Sequence, residues 1–199
     1  MFSIRKFFTE LNDASEPRWH FPSALSPVVH AEWGLYKILE YMGLGLHEFL
    51  PLGVGQNRVR LRKDIEEYHI AYAIDFDDTD IDTFIARRPD GLAFDKGKKL
   101  CVFLEYTRAM DTNEDWAEKK EQEKNESYSS HLGFINHLSN QEKSGWKASQ
   151  TNFTTGVRGS GSLHTNQFQT RLESLGVKNK NTREAIRNRS VQKPSLCRT

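Results

Sequence analysis

Long apolar runs are missing from this chain, and no stretch approaches the roughly 20 residues that a membrane-crossing helix needs. Cysteine is scarce: Cys101 and Cys197 are the only two, which makes no disulfide framework and suits an intracellular, reducing compartment, the nucleus among the options. In such a compartment the Asn-x-Ser/Thr triplets at Asn125, Asn152 and Asn188 carry no glycan. The first residues, MFSIRKFFTELND, lack the apolar core and small-residue cleavage site of a signal peptide and read instead as a short packing helix. Metal and phosphate motifs of the common kinds are missing too. The seven histidines show no ligand spacing, and His47-Glu48 is no zincin motif because Pro51 occupies the second histidine's place. The glycine-rich run 156–161 lacks the Lys-Ser/Thr of a phosphate loop. No internal repeat is present.

What is there fits one domain with extensions. A chain of 199 residues can bury a sizeable core, and 37% hydrophobic with 28% charged residues describes a globular fold with a wet surface. The net charge of +1 hides a segregation. From Asp64 to Asp82 there are eight acids and no Lys or Arg, whereas Lys178 to Thr199 holds seven basic residues against Glu184 alone. An acidic patch can hold cations and a basic tail can hold phosphates, although solvated loops share this layout.

Pro17, Pro22 and Pro27 make 16–29 an extended or turning connection. Trp33, Tyr36, Ile38 and Leu39 recur at helical intervals over 30–41, with Gly43 placed to end the helix. Glu32, one turn from that apolar face, reads as a capping or surface acid and otherwise as an additional metal ligand. Beyond a glycine-rich link, residues 58–63 alternate basic and apolar, and 68–76 form a β-rich run. Strands are expected over 83–94 and 99–106, joined by a turn at Asp95-Lys96-Gly97-Lys98. A long charged helix follows over 111–139, with Ala117, Tyr128, Leu132, Ile135 and Leu138 on one face and Thr112 or Asn113 as its cap. A polar, Thr-rich strand is expected over 148–157, then short helices over 163–175 and 182–191, the second basic. The final QKPSLCRT carries no capping logic and reads as a frayed end or as the cut edge of a longer chain.

The hairpin holds the chemistry. Glu105 and Thr107 share a strand face with Cys101 and Phe103, while Val102, Leu104 and Tyr106 point the other way. Asp90 follows Pro89, which cannot donate to a ladder, so the strand is expected to bend there and re-aim the acid. Counting back from a four-residue turn at 95–98 sets Asp90 opposite Phe103 and makes Glu105 its diagonal neighbour, about 7–8 Å away at the backbone. Two ionised acids about 4 Å apart repel by roughly 4 kcal/mol at an effective dielectric near 20, which a divalent metal or a raised pKa must answer.

Arg87-Arg88-Pro89-Asp90-Gly91, a hairpin, an apolar strand and Glu105-Tyr106-Thr107-Arg108 together resemble the core of the PD-(D/E)XK nucleases, in particular the restriction-like endonuclease domains of non-long-terminal-repeat retrotransposons. Fourteen residues separate the two acids. The resemblance covers roughly residues 30–160 and rests on a short motif. It implies an α/β fold of restriction-endonuclease type, a central mixed sheet flanked by helices. It implies a hydrolase that cuts DNA phosphodiester bonds, with Asp90 and Glu105 binding Mg²⁺ or Mn²⁺ to activate a water. One position departs from the family: Thr107 stands where its lysine is expected. Some members take that lysine from a neighbouring helix, and here Lys124 lies about 40° and Lys120 about 80° from Tyr128 around the long helix. Either can snorkel toward the acids, or both can belong to a solvated face with Glu118, Glu121 and Glu123. Arg158, Arg108 and Arg187 are the candidate phosphate contacts. The implied division is an extension at 1–29, a nuclease-like core at 30–160 and a basic helical extension at 161–199.

Two other readings compete. Without a substitute lysine, the domain would bind nucleic acid and not cut it. Separately, the run 70–79 resembles the first motif of haloacid-dehalogenase-like phosphatases, with Asp75 as nucleophile and Asp77 as general acid, though no later lysine strand or paired-Asp strand end follows. The same acidic run fails as an EF-hand, because Thr83 takes the glycine's place and Pro89 the final glutamate's.

Overall fold

The structure, a computed structural model, describes residues 4–15, 19–20, 34–44, 54–74, 81, 83–85, 87–110, 115–156 and 165–191. Its centre is a hairpin of β2 (Gly91–Asp95) and β3 (Leu100–Ala109). The chain then crosses over through α4 (Trp116–Gln141), and β4 (Lys147–Gly156) pairs parallel to β3 along its whole length. A parallel neighbour needs such a crossover, because no tight turn can bring the chain back in the same direction. The two-residue β1 (Trp19–His20) adds antiparallel to the free edge of β2, giving a mixed sheet of order β1-β2-β3-β4 flanked by helices. The α/β architecture is the expected one.

Alternation along β3 divides the core in two. Cys101 and Phe103 join α2 (Leu35–Met42), α3 (Val54–Ala71) and α4 in one apolar cluster. Val102, Leu104 and Tyr106 face a second cluster built with α1 (Ile4–Ala14), α5 (Thr165–Ser174) and α6 (Lys180–Val191). The helices of both terminal segments thus cover a single sheet face. Phe7 and Phe8 of α1 are fully buried there, and a Cβ on Gly91 would come within 2.8 Å of the Phe8 ring. Glycine at position 91 is what lets α1 lie so close to the strand that begins beside Asp90. As expected, α2 ends at Gly43, whose φ of 69° is left-handed and whose N–H donates to the Glu40 carbonyl.

Four local expectations are corrected. The β-rich run at 68–76 belongs, as far as Ala71, to α3, where Leu61, Ile65 and Tyr68 recur at helical intervals and are buried. The strand expected from Thr83 starts only at Gly91. Residues 83–85 are helical, held by Phe84 stacking on His131 of α4 at 3.7 Å between ring centroids and by the Phe84 carbonyl accepting from His131 Nε2. The hairpin turn is 96–99 and not 95–98. Asp95 stays in the strand, and its Oδ1 takes the Lys98 N–H while Lys99 supplies the left-handed residue. The N-terminal cap position of α4 is Asp115; Thr112 and Asn113 lie outside the described residues.

Candidate metal and nucleic-acid site

The one-residue shift of the turn moves every cross-strand partner by two and brings the acids together. Gly91 pairs with Leu104, so the next step of the register places Asp90 directly opposite Glu105 and not diagonal to it. Residues directly opposite have Cβ atoms only about 4.5–5.5 Å apart. The strand ends here because Pro89, buried, has no N–H to give. The Asp90 side chain then takes over the ladder's work: its Oδ2 accepts the Tyr106 N–H at 3.0 Å, and the Asp90 N–H donates to Glu105 Oε1 at 3.0 Å. Each acid is therefore fixed by backbone of the other's strand.

Lys124 completes the group. Its Nζ donates to Glu105 Oε2 at 2.6 Å, reaching from α4 to a carboxylate that is 1% exposed. Burial first, and the Asp90 charge second, raise the Glu105 pKa, against the pull of Lys124. Burial by itself would lower the Lys124 pKa, but the hydrogen bond and charge of Glu105, with Asp90 and Glu123, outweigh it and hold the ammonium above its ordinary value. Tyr128 seals the site: its hydroxyl donates to the Arg88 carbonyl at 2.6 Å, and burial beside both acids pushes the phenol well above its normal range.

The other expected residues divide. Lys120 points to water and pairs with Glu123 on the helix surface, so of the two candidate lysines only Lys124 reaches the acids. Thr107, at the motif lysine's position, has a buried hydroxyl with no hydrogen-bond partner. Arg108 is half-buried with its Nε unpartnered, while Arg187 bonds the neighbouring Asn188 side chain on α6. Glu32 and Arg158 lie outside the described residues, as do Asp75 and Asp77. Of the run expected to lead into Asp75 as a strand, the described residues end a helix at Ala71, and Ile70 is 82% exposed.

A belt of amides beside Lys124 was not among the expected site residues. Gln150 Nε2 donates to the Lys124 carbonyl at 2.9 Å and to Asn152 Oδ1, and Asn152 Nδ2 donates to Asn125 Oδ1 at 2.7 Å. Arg171 of α5 donates to the Asn152 carbonyl at 2.6 Å and to Glu121. The signal was present: Gln150, Asn152 and Thr154 occupy alternate positions of β4 and are in register with Phe103, Glu105 and Thr107.

Among the described residues no three His, Cys, Asp or Glu side chains converge. Two carboxylates suffice for Mg²⁺ or Mn²⁺ only if water supplies the rest of the shell, as is usual for Mg²⁺. The donor set fits such a hard cation: both carboxylates retain lone pairs, and the unfavourable meeting of Asp90 with buried Glu105 is what a nearby positive charge relieves. No described helix is long and apolar enough to cross a membrane. No family model, curated protein or solved structure matches the chain.

Proposed function

We propose that this protein is a metal-dependent DNA endonuclease of restriction-endonuclease-like fold, from a mobile genetic element of the non-long-terminal-repeat retrotransposon kind. The reading rests on one observation: a hairpin places Asp90 opposite Glu105, and the helix after it returns Lys124 to Glu105 at 2.6 Å. Asp90 and Glu105 would hold Mg²⁺ or Mn²⁺, which when bound supplies an activated water for attack on the phosphodiester. The Asp90 and Tyr106 N–H groups keep the two carboxylates aimed. Lys124 provides, from the helix, the positive charge that Thr107 cannot, placed to stabilise charge developing on phosphate oxygens. Arg108, Arg158, Arg187 and the basic end of the chain would grip flanking phosphates, so DNA affinity falls steeply with salt.

Purified protein is expected to nick supercoiled plasmid in Mg²⁺ or Mn²⁺, and Asp90→Ala to abolish nicking; activity that survives this substitution refutes the site. The burial of Glu105 and its pairing with both an N–H and an ammonium favour a second reading, in which the ion pair is structural and the domain binds nucleic acid without cutting it. Salt-dependent DNA retention with no cleavage in either metal would select that reading.

A further inference from the structure

Lys124 has more than one carboxylate to choose from. Glu121 precedes it by three residues on α4, the spacing at which side chains on a helix surface meet. Pairs of this kind do form along this helix, between Lys120 and Glu123 and between Lys119 and Asp115. Lys124 nonetheless leaves its own helix for Glu105 on β3. The backbone is not free to decide the matter, since the Gln150 amide holds the Lys124 carbonyl against β4. What differs is the state of Glu121: it is already taken. Arg171 reaches over from α5 with one guanidinium N–H group on Glu121 and another on the Asn152 carbonyl, in register with Glu105. The two side chains are 23% and 28% exposed, so they meet where water screens them only in part. A half-buried carboxylate deprived of its partner draws the nearest cation.

We propose that Arg171 is a positioning residue: by occupying Glu121 it leaves the Lys124 ammonium to Glu105. Its effect on cleavage rests on the nuclease reading above, whereas the pairing it enforces does not. Arg171→Met keeps the aliphatic packing and frees Glu121. This variant is expected to lower the kcat for nicking about tenfold with KM within about twofold. Adding Glu121→Gln removes the rival acid and should return kcat to within about threefold of the parent protein, a repair that a purely structural role for Arg171 does not predict.

A second readout needs no activity. The fall in Tm caused by Lys124→Met, which strands buried Glu105, should be several degrees in the parent chain. It should nearly vanish in Arg171→Met, where the lysine has already moved, and reappear in Glu121→Gln/Arg171→Met. Equal Tm losses in all three backgrounds, or lost nicking that Glu121→Gln does not repair, would overturn the proposal. Failure of Arg171→Met to fold while the double variant folds supports it; failure of both makes Arg171 structural and refutes it. If the parent chain nicks nothing in either metal but the Tm pattern holds, the nuclease reading fails and the pairing stands.

Discussion

Glu105 and Tyr106 are adjacent in the chain and lie in opposite surroundings. On the Tyr106 side, Phe7 meets Phe8, Tyr106, Phe153 and Phe168 at ring-centroid distances of 4.9–6.2 Å, and the Tyr106 hydroxyl donates to the Ser190 carbonyl and meets the Thr155 hydroxyl. On the Glu105 side, the apolar cluster around Phe94, Phe103 and Phe134 gives way at one end of the sheet to Asp90, Glu105, Lys124 and the amides of β4. Each fully buried phenylalanine contributes about 1.5–3 kcal/mol by leaving water. A buried carboxylate contributes nothing of the kind and must be compensated by partners. One face stabilises the sheet, and that surplus lets the other keep charges where they do not favour folding.

The sharpest test separates the faces by what each loses. Glu105→Gln is expected to cut nicking at least about a thousandfold, ~4 kcal/mol in barrier, while melting no lower than the parent protein, because a neutral amide suits the burial that raises the glutamate's pKa. Loss of stability together with activity would mean that the ion pair holds the fold. Phe153→Ala should do the reverse, costing about 3–5 kcal/mol in denaturant melts while the remaining folded molecules nick normally.

A pH titration of stability reaches the Glu105 side through His131. Burial lowers its pKa to about 4 from 6.5, so its contribution is complete above about pH 6.5 and is lost as pH falls toward 4, about 3 kcal/mol in all. Glu105, whose pKa is raised, works with the opposite sign: its contribution is present at low pH and lost as pH rises through its folded value. His131→Phe should therefore remove most of the acid-side loss in Tm; an unchanged profile would place the sensitivity elsewhere. The smallest effect belongs to the exposed lysine. Lys120→Ala should change stability by less than about 0.5 kcal/mol and nicking by less than twofold, against a loss of about a hundredfold or more for Lys124→Ala.

Much of the fold was legible where one local signal dominated. The amphipathic N-terminal segment, Gly43, the apolar strand through Cys101 and Phe103, the long helix and the two final helices follow from periodicity and capping. Residues 68–74 misled because β-branched Ile70 and Ile74 favour a strand locally, while the burial of Leu61, Ile65 and Tyr68 decided for a helix. At the site, the pairing of Asp90 with Glu105 was legible, but its register was not. Asp95 can either open a turn or close a strand, and the choice shifts every partner by two residues.

By itself, then, the sequence determined which residues could serve: two acids on a hairpin, a face of β3 shared by Phe103 and Glu105, and lysines at two angles around one helix. The tertiary structure alone decided which of them meet. Lys124 rather than Lys120 reaches Glu105 on a helix that β4 holds through Gln150 and Asn152 and whose Glu121 is engaged by Arg171, 47 residues further along than Lys124. Those contacts join segments far apart in the chain. They depend on how α4 and α5 pack on the sheet, and no local periodicity encodes that.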